Sequence, residues 1–130
     1  MNVLTGSAGA IMGGSGGHSD AAAGAKMTII TANLTRSRIA VIKDRVRTIC
    51  TPGETVDVLV TEWGIAVNPH RTDLLERFTK AKLPVRSIEE LREKAEQLCG
   101  KAHPIPEGER IVGIVEYRDG TIIDVVRAKA

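Results

Sequence analysis

The stretch RIVGIVEYRDGTIIDVVR, residues 110–127, restricts the fold more than any other part of the chain. Two Val- and Ile-rich runs flank Asp119-Gly120. An Asp-Gly pair in that setting is a hairpin signal, because both residues tolerate the positive φ that a tight turn between twisted strands requires. The core around it has to be aliphatic. Trp63, Phe78 and Tyr117 are the only aromatic residues, so Val, Ile, Leu and Ala must fill the interior.

Upstream, residues 2–5 read as a strand ending at Gly6. The apolar, β-branched run MTIITA (27–32) has the pattern of a strand buried on both faces. RIAVIKD (38–44) and VRTICT (46–51) read as two more strands, followed by a Pro52-Gly53 turn. VDVLVTE (56–62) puts Val56, Val58 and Val60 on one face of a half-buried strand, and GIAVNP (64–69) is a short extended piece. Two helices follow. Asn68-Pro69 can supply a cap and a first-turn proline to the first, with Leu74, Leu75, Phe78 and Ala81 at helical spacing. Ser87 and Glu90 form a capping box for the second, which carries Ile88, Leu91, Ala95 and Leu98 along one side and Gly100 at its end. Pro104 and Pro106 mark a connection. The expectation is a sheet-rich α/β domain with helices between strands.

With 130 residues the chain can build one modest domain and a real core. Apolar residues at 42% and charged residues at 26% are ordinary for a soluble protein. A net charge of +2 with no dominant basic cluster and so few aromatics speaks against nucleic-acid binding. No apolar run approaches the roughly 20 residues of a membrane span, and the N-terminus lacks the basic start and apolar block of a signal peptide. Cys50 and Cys99 read as isolated buried thiols in a reducing, cytoplasmic setting. His18, His70 and His103 do not group with them, so no zinc spacing arises and no metal is expected. The abrupt opening on NVLTGS looks like a piece cut from a longer chain.

GGSGGHSDAAAGAK (13–26) is the candidate functional stretch. Glycines let backbone amides be approached without a Cβ in the way, and successive free amides can hold an anion or an oxyanion. A helical turn over Ala21, Ala22, Ala23, Gly24 and Ala25 would direct its positive N-terminal end at the loop around Gly16-Gly17-His18. The same composition also suits a linker or plain turn. The pattern is neither the phosphate-cradle motif nor the dinucleotide motif. Asp20 reads as the cap of the alanine turn, and His18 as either a backbone-bonded residue or a donor or base near neutral pH. Glu54, Asp57 and Glu62 sit where solvated charge is expected. Arg36 and Arg38, flanking Ser37, read as a solvated pair before an anion clamp, and Trp63 as a core residue.

Three stretches, LTGSAGAIMGGSGGHSDAAAGAK (4–26), TPGETVDVLVTEWGIAVNP (51–69) and IVGIVEYRDGTIIDVVR (111–127), resemble the C-terminal portion of the citrate lyase alpha subunit family within the CoA-transferase superfamily. The resemblance runs in order over essentially the whole chain. It implies a partial CoA-transferase-like (NagB/RpiA/CoA-transferase-like) α/β domain, residues 1–130 being part of the second such domain, with a mixed sheet, flanking helices and a C-terminal β-hairpin.

In function the resemblance implies exchange of acetate for citrate on an acyl carrier thioester. A beta subunit then cleaves the citryl thioester, and a gamma subunit is the acyl carrier. No cofactor is bound covalently to this chain; CoA, or the phosphoribosyl-dephospho-CoA arm of the carrier, is the substrate. By the same resemblance Gly13, Gly14, Ser15, Gly16 and Gly17 line the thioester site, and His18 is the candidate catalytic side chain. Relatives often carry threonine where Ala21 stands. Many members of the superfamily use a glutamate nucleophile just upstream; nothing here matches it, and the citrate lyase branch is taken to transfer without one. The chain alone is expected to be inactive, its first strand lacking neighbours that the full subunit supplies, and to self-associate or pair with a missing N-terminal half. The rival reading is a non-catalytic CoA- or phosphate-binding or assembly module.

Overall fold

A parallel pair of strands organises the half of the molecule that holds most of its buried aliphatic residues. The computed structural model describes residues 5–7, 10–12, 16–101 and 106–130. The chain divides into two units, one comprising Met27–Asp44 and Val56–His103, the other Met1–Lys26, Arg45–Thr55 and Pro104–Ala130.

In the first unit, β3 (Ile29–Thr31) pairs parallel with β6 (Val58–Thr61), Ile29 opposite Val58. Thr61-Glu62-Trp63-Gly64 then turns the chain into β7 (Gly64–Val67), antiparallel to β6, which makes a mixed three-stranded sheet in the order β3-β6-β7. Residues 83–86 run along the other edge of β7, Ile65 N–H donating to Pro84 O at 3.0 Å and Arg86 N–H to Ile65 O at 2.9 Å. The expectation that residues 27–32 are buried on both faces does not hold: β3 has one partner strand, and Met27 and Ile29 are exposed. RIAVIKD is likewise not one long strand. β4 (Thr35–Arg36) and β5 (Ile39–Ala40) form a small hairpin, with bends after Ala40.

The helices are α2 (Thr72–Lys80) and α3 (Ile88–Cys99). Ser87 caps α3 as expected: its hydroxyl accepts from Glu90 N–H at 3.1 Å and Glu90 Oε2 accepts from Ser87 N–H at 2.8 Å. Gly100 closes that helix at φ +79°. Asn68-Pro69 does not cap α2. Asn68 Oδ1 accepts from His70 N–H and Nδ2 donates to Val56 O, so the side chain is spent on a turn one step earlier, and Arg71 takes the cap position without a side-chain bond. Asp73 in the first turn and Arg77 and Lys80 in the last match the helix dipole. Leu91 and Ala95, four apart on α3, pack with Leu34, Ala40 and Ala66 into the core. Burying side chains the size of Leu34 and Leu91 contributes about 1.5–3 kcal/mol each. Leu98 and Ile88, predicted on the same stripe, are exposed.

In the second unit, β1 (Thr5–Ser7) and β2 (Ala10–Met12) pair antiparallel. The first strand pairs within the chain in a two-stranded sheet and runs to Ser7; residues 2–4 lie outside the described residues. The predicted hairpin is present as β8 (Glu107–Glu116) and β9 (Ile122–Lys129), with register shifts along its length. Tyr117 O accepts from Gly120 N–H at 2.9 Å, Gly120 adopts φ +87°, and Asp119 Oδ1 accepts from Thr121 N–H at 2.9 Å. That bond holds the Asp119 carboxyl below its usual range. VRTICT is not a strand. It bends, and side chains pin it to the hairpin: Ile49 N–H donates to Asp124 Oδ2 at 2.7 Å, and Arg47 pairs with Glu107 at 2.7 Å.

Candidate functional site

The glycine stretch enters a helix earlier than its composition suggests. α1 runs Gly16–Gly24, so Gly16, Gly17 and His18 form its first turn, where a loop was expected. Gly13, Gly14 and Ser15 lie outside the described residues. Asp20 is therefore not a cap; it sits exposed inside the helix. Ser19 and Ala22, three apart, are the buried face, and the helix starts five residues ahead of its alanines. Ser19 Oγ donates back to Gly16 O at 3.0 Å.

Among the described residues, a Cβ built on Gly16 or on Gly17 meets nothing within 4 Å. The first amides of an α-helix have no partner within the helix. His18 is half-buried. Its Nδ1 lies 2.9 Å from Thr51 Oγ1, thirty-three residues away in the TPGET stretch. Thr51 is fully buried. Pro52 follows it, and Pro52 O accepts from both Thr55 N–H (3.2 Å) and Thr55 Oγ1 (2.8 Å) around a 3-10 turn, Gly53–Thr55. The pair works in either sense. When Thr51 donates, Nε2 carries the proton; when Nδ1 donates, Nε2 is the base.

Thr51 is the residue that reading the sequence missed. A threonine between a buried Cys50 and a proline was the available signal, since a residue before proline is confined to extended backbone and its side chain is well fixed.

The remaining candidates separate from this site. Asp57 is not a solvated charge: its side chain is 14% exposed, and it joins Arg71 at 2.7 Å and Thr28 N–H at 2.7 Å. Arg71 also pairs with Asp73 at 2.9 Å; this holds the Asp73 carboxyl down at about 2 and raises the guanidinium further. Glu62 accepts Leu34 N–H on both oxygens, 3.0 and 3.1 Å, tying the end of β6 to the segment after β3. Glu54 is exposed, as expected. Arg36 and Arg38 are exposed at the β4–β5 tip, where Ser37 and Arg38 both have positive φ. Trp63 is not a core residue: it is half exposed, with Lys94 Nζ 4.2 Å from its ring centroid, a cation–π contact. Cys50 is buried and Cys99 half-buried. No helix among the described residues is long and apolar enough to cross a membrane.

The chain is thus an α/β protein with a mixed sheet, helices and a hairpin, in which a histidine in the first turn of a helix is bonded to a buried threonine. Residues 1–129 match the family described as citrate lyase, alpha subunit (CitF), and the chain belongs to that family. It is 55% identical over 127 residues to the citrate lyase alpha chain of Klebsiella pneumoniae, covering 98% of this chain and 25% of the relative. It is 52% identical over 126 residues to that of Escherichia coli, covering 97% and 25%. A crystal structure of the alpha subunit of citrate lyase from Streptococcus mutans, in complex with citrate, matches with a TM-score of 0.92 at 53% identity, over 99% of this chain and 25% of that one. The chain therefore spans about a quarter of the length of these relatives.

Proposed function

We propose that the chain is the C-terminal portion of a citrate CoA-transferase subunit, with a CoA-transferase-like fold, and that residues 13–18 face the thioester. Family membership and the citrate-bound neighbour support the substrate. The observation that supports the site is a first helical turn at Gly16-Gly17, where an added Cβ would meet no described atom within 4 Å, followed by His18 bonded to Thr51.

The reaction converts acetyl-carrier thioester and citrate into citryl-carrier thioester and acetate. Attack on a thioester carbonyl places negative charge on its oxygen, and amides that approach without a Cβ between them can stabilise that oxyanion. His18 Nε2, held at hydrogen-bonding distance, supplies a donor or accepts a proton as the tautomer dictates. CoA or the phosphoribosyl-dephospho-CoA arm of the carrier arrives as substrate. The acyl carrier and the cleaving beta subunit are the partners, in a cytoplasmic setting.

The test is acyl exchange between acetyl-CoA and citrate, with this chain alone and with the rest of the alpha subunit added. Activity only in the mixture, lost in Gly17→Val, supports the reading. A folded chain that binds CoA but never turns over in the mixture overturns it in favour of a binding module.

A further inference from the structure

We propose that Thr51 is the positioning residue of His18: its hydroxyl holds the imidazole by Nδ1 and leaves Nε2 as the nitrogen that faces the thioester. The inference rests on the reading of the first turn of α1, Gly16 to His18, as thioester-facing.

An imidazole on a helix turns about its outer torsion between two broad, roughly equivalent orientations that exchange Nδ1 with Cδ2 and Nε2 with Cε1. A side chain in that state presents a nitrogen or a carbon at the same place. One fixed hydrogen bond removes the degeneracy, and here both ends of the bond stand on fixed frames. On the helix side, Ser19 and Ala22 are buried, so α1 cannot rotate to carry His18 away. On the other side, Thr51 is β-branched and stiff at χ1, is limited to extended backbone by Pro52, and adjoins the 3-10 turn closed by Thr55. Water does not compete at Thr51, which has no exposed surface. The bond joins segments thirty-three residues apart, so it reports tertiary placement and not helix geometry. Among the described residues Nε2 of His18 has no hydrogen-bond partner, and His18 follows Gly16 and Gly17 in the first turn of α1.

The first readout needs no substrate. Long-range proton–nitrogen spectra of the uniformly 15N-labelled chain at about pH 8, above the ordinary histidine titration, should show His18 Nδ1 displaced from the free-imidazole position by its hydrogen bond. Thr51→Val, which keeps the shape and removes the hydroxyl, should return Nδ1 to that position, and Thr51→Ser should restore the displacement. An undisplaced Nδ1 in the unaltered chain overturns the inference whether or not the valine variant folds. A displaced Nδ1 retained in a folded Thr51→Val chain overturns it as well.

The second readout is acyl exchange in the chain recombined with the rest of the alpha subunit. Thr51→Val should lower kcat roughly ten- to a hundred-fold, the scale of a misplaced reacting group, with KM changed less than about twofold. Thr51→Ser should recover most of the loss. Unchanged kcat in Thr51→Val alongside a loss in Gly17→Val shows a merely structural bond and overturns this inference while the site stands. Unchanged exchange in both variants overturns the site reading itself.

Discussion

Asp57 ties the start of a strand to the start of a helix through Arg71: Asp57 Oδ1 accepts from Arg71 Nη1 at 2.7 Å, while Oδ2 accepts from Thr28 N–H at 2.7 Å, one residue before β3. The carboxylate is largely buried, so both bonds are shielded from water. Hydrogen bonds to a charged group of this kind contribute about 1.5–3 kcal/mol, so Asp57→Ala should lower stability by about 2 kcal/mol or more in urea unfolding. Asp57→Asn should cost less, because its amide oxygen still accepts from Thr28. A variant indistinguishable from the unaltered chain would show that the tie does not hold the two elements.

Asp73 sits on the outer side of the same arginine. Its carboxyl is lowered from an ordinary 3.8 to about 2, chiefly by the hydrogen bonds from Arg71. A depressed carboxylate adds stability that is complete above its ordinary value and is lost as pH falls through the folded value. The contribution should therefore be constant above 3.8 and disappear on acidification toward 2. Carbon-detected NMR titration of Asp73 should give a midpoint near 2, returning toward 3.8 in Arg71→Met. An ordinary midpoint in the unaltered chain would remove the pairing.

Gly64 begins β7 where residues 83–86 cross closest. A Cβ there would stand 2.6 Å from Arg86 Cγ and 2.9 Å from Pro84 O. The side chain can swing away, but the carbonyl is held at 3.0 Å by Ile65 N–H. Gly64→Ala should cost about 1–3 kcal/mol, as overpacking does. Gly113→Ala, whose nearest contact would be Val126 Cβ at 3.7 Å, should be near neutral. Calorimetric melting of the two variants makes the comparison, and equal melting points would refute the steric account.

Gly17 separates stability from function. Glycine inside a helix is about 0.8–1 kcal/mol worse than alanine, and less at the first turn. With nothing within 4 Å of the added methyl, Gly17→Ala should raise the melting temperature by a few degrees while lowering acyl exchange. A lower melting temperature would mean that something does occupy that space.

The parts of the fold that were legible in the sequence are those made by residues a few positions apart. Ser87 and Glu90 meet three residues apart on one helical turn, and Asp119 bonds the backbone two residues on; neither needs the rest of the molecule. The misread parts depend on distant segments. Residues 46–51 have strand-forming composition, but they bend, and the Ile49 N–H is met by the distant Asp124 carboxylate. Trp63 was expected inside because it is large and apolar, yet it caps a tight β6–β7 turn whose tip is solvent-facing.

The candidate site divides in the same way. Composition placed a helix after the glycines and marked His18, because small residues and a histidine are local facts. Where that helix begins, and what its histidine touches, follow from burying Ser19 and Ala22 and from bringing Thr51 across thirty-three residues. By itself the sequence determined the α/β class, the hairpin, the capped helix and the family, all of which rest on local patterns or on matched stretches of chain. Only the tertiary structure decided that Asp57 and Thr51 are internal partners and not surface groups, because which hydrogen bonds are sheltered from water depends on what packs over them.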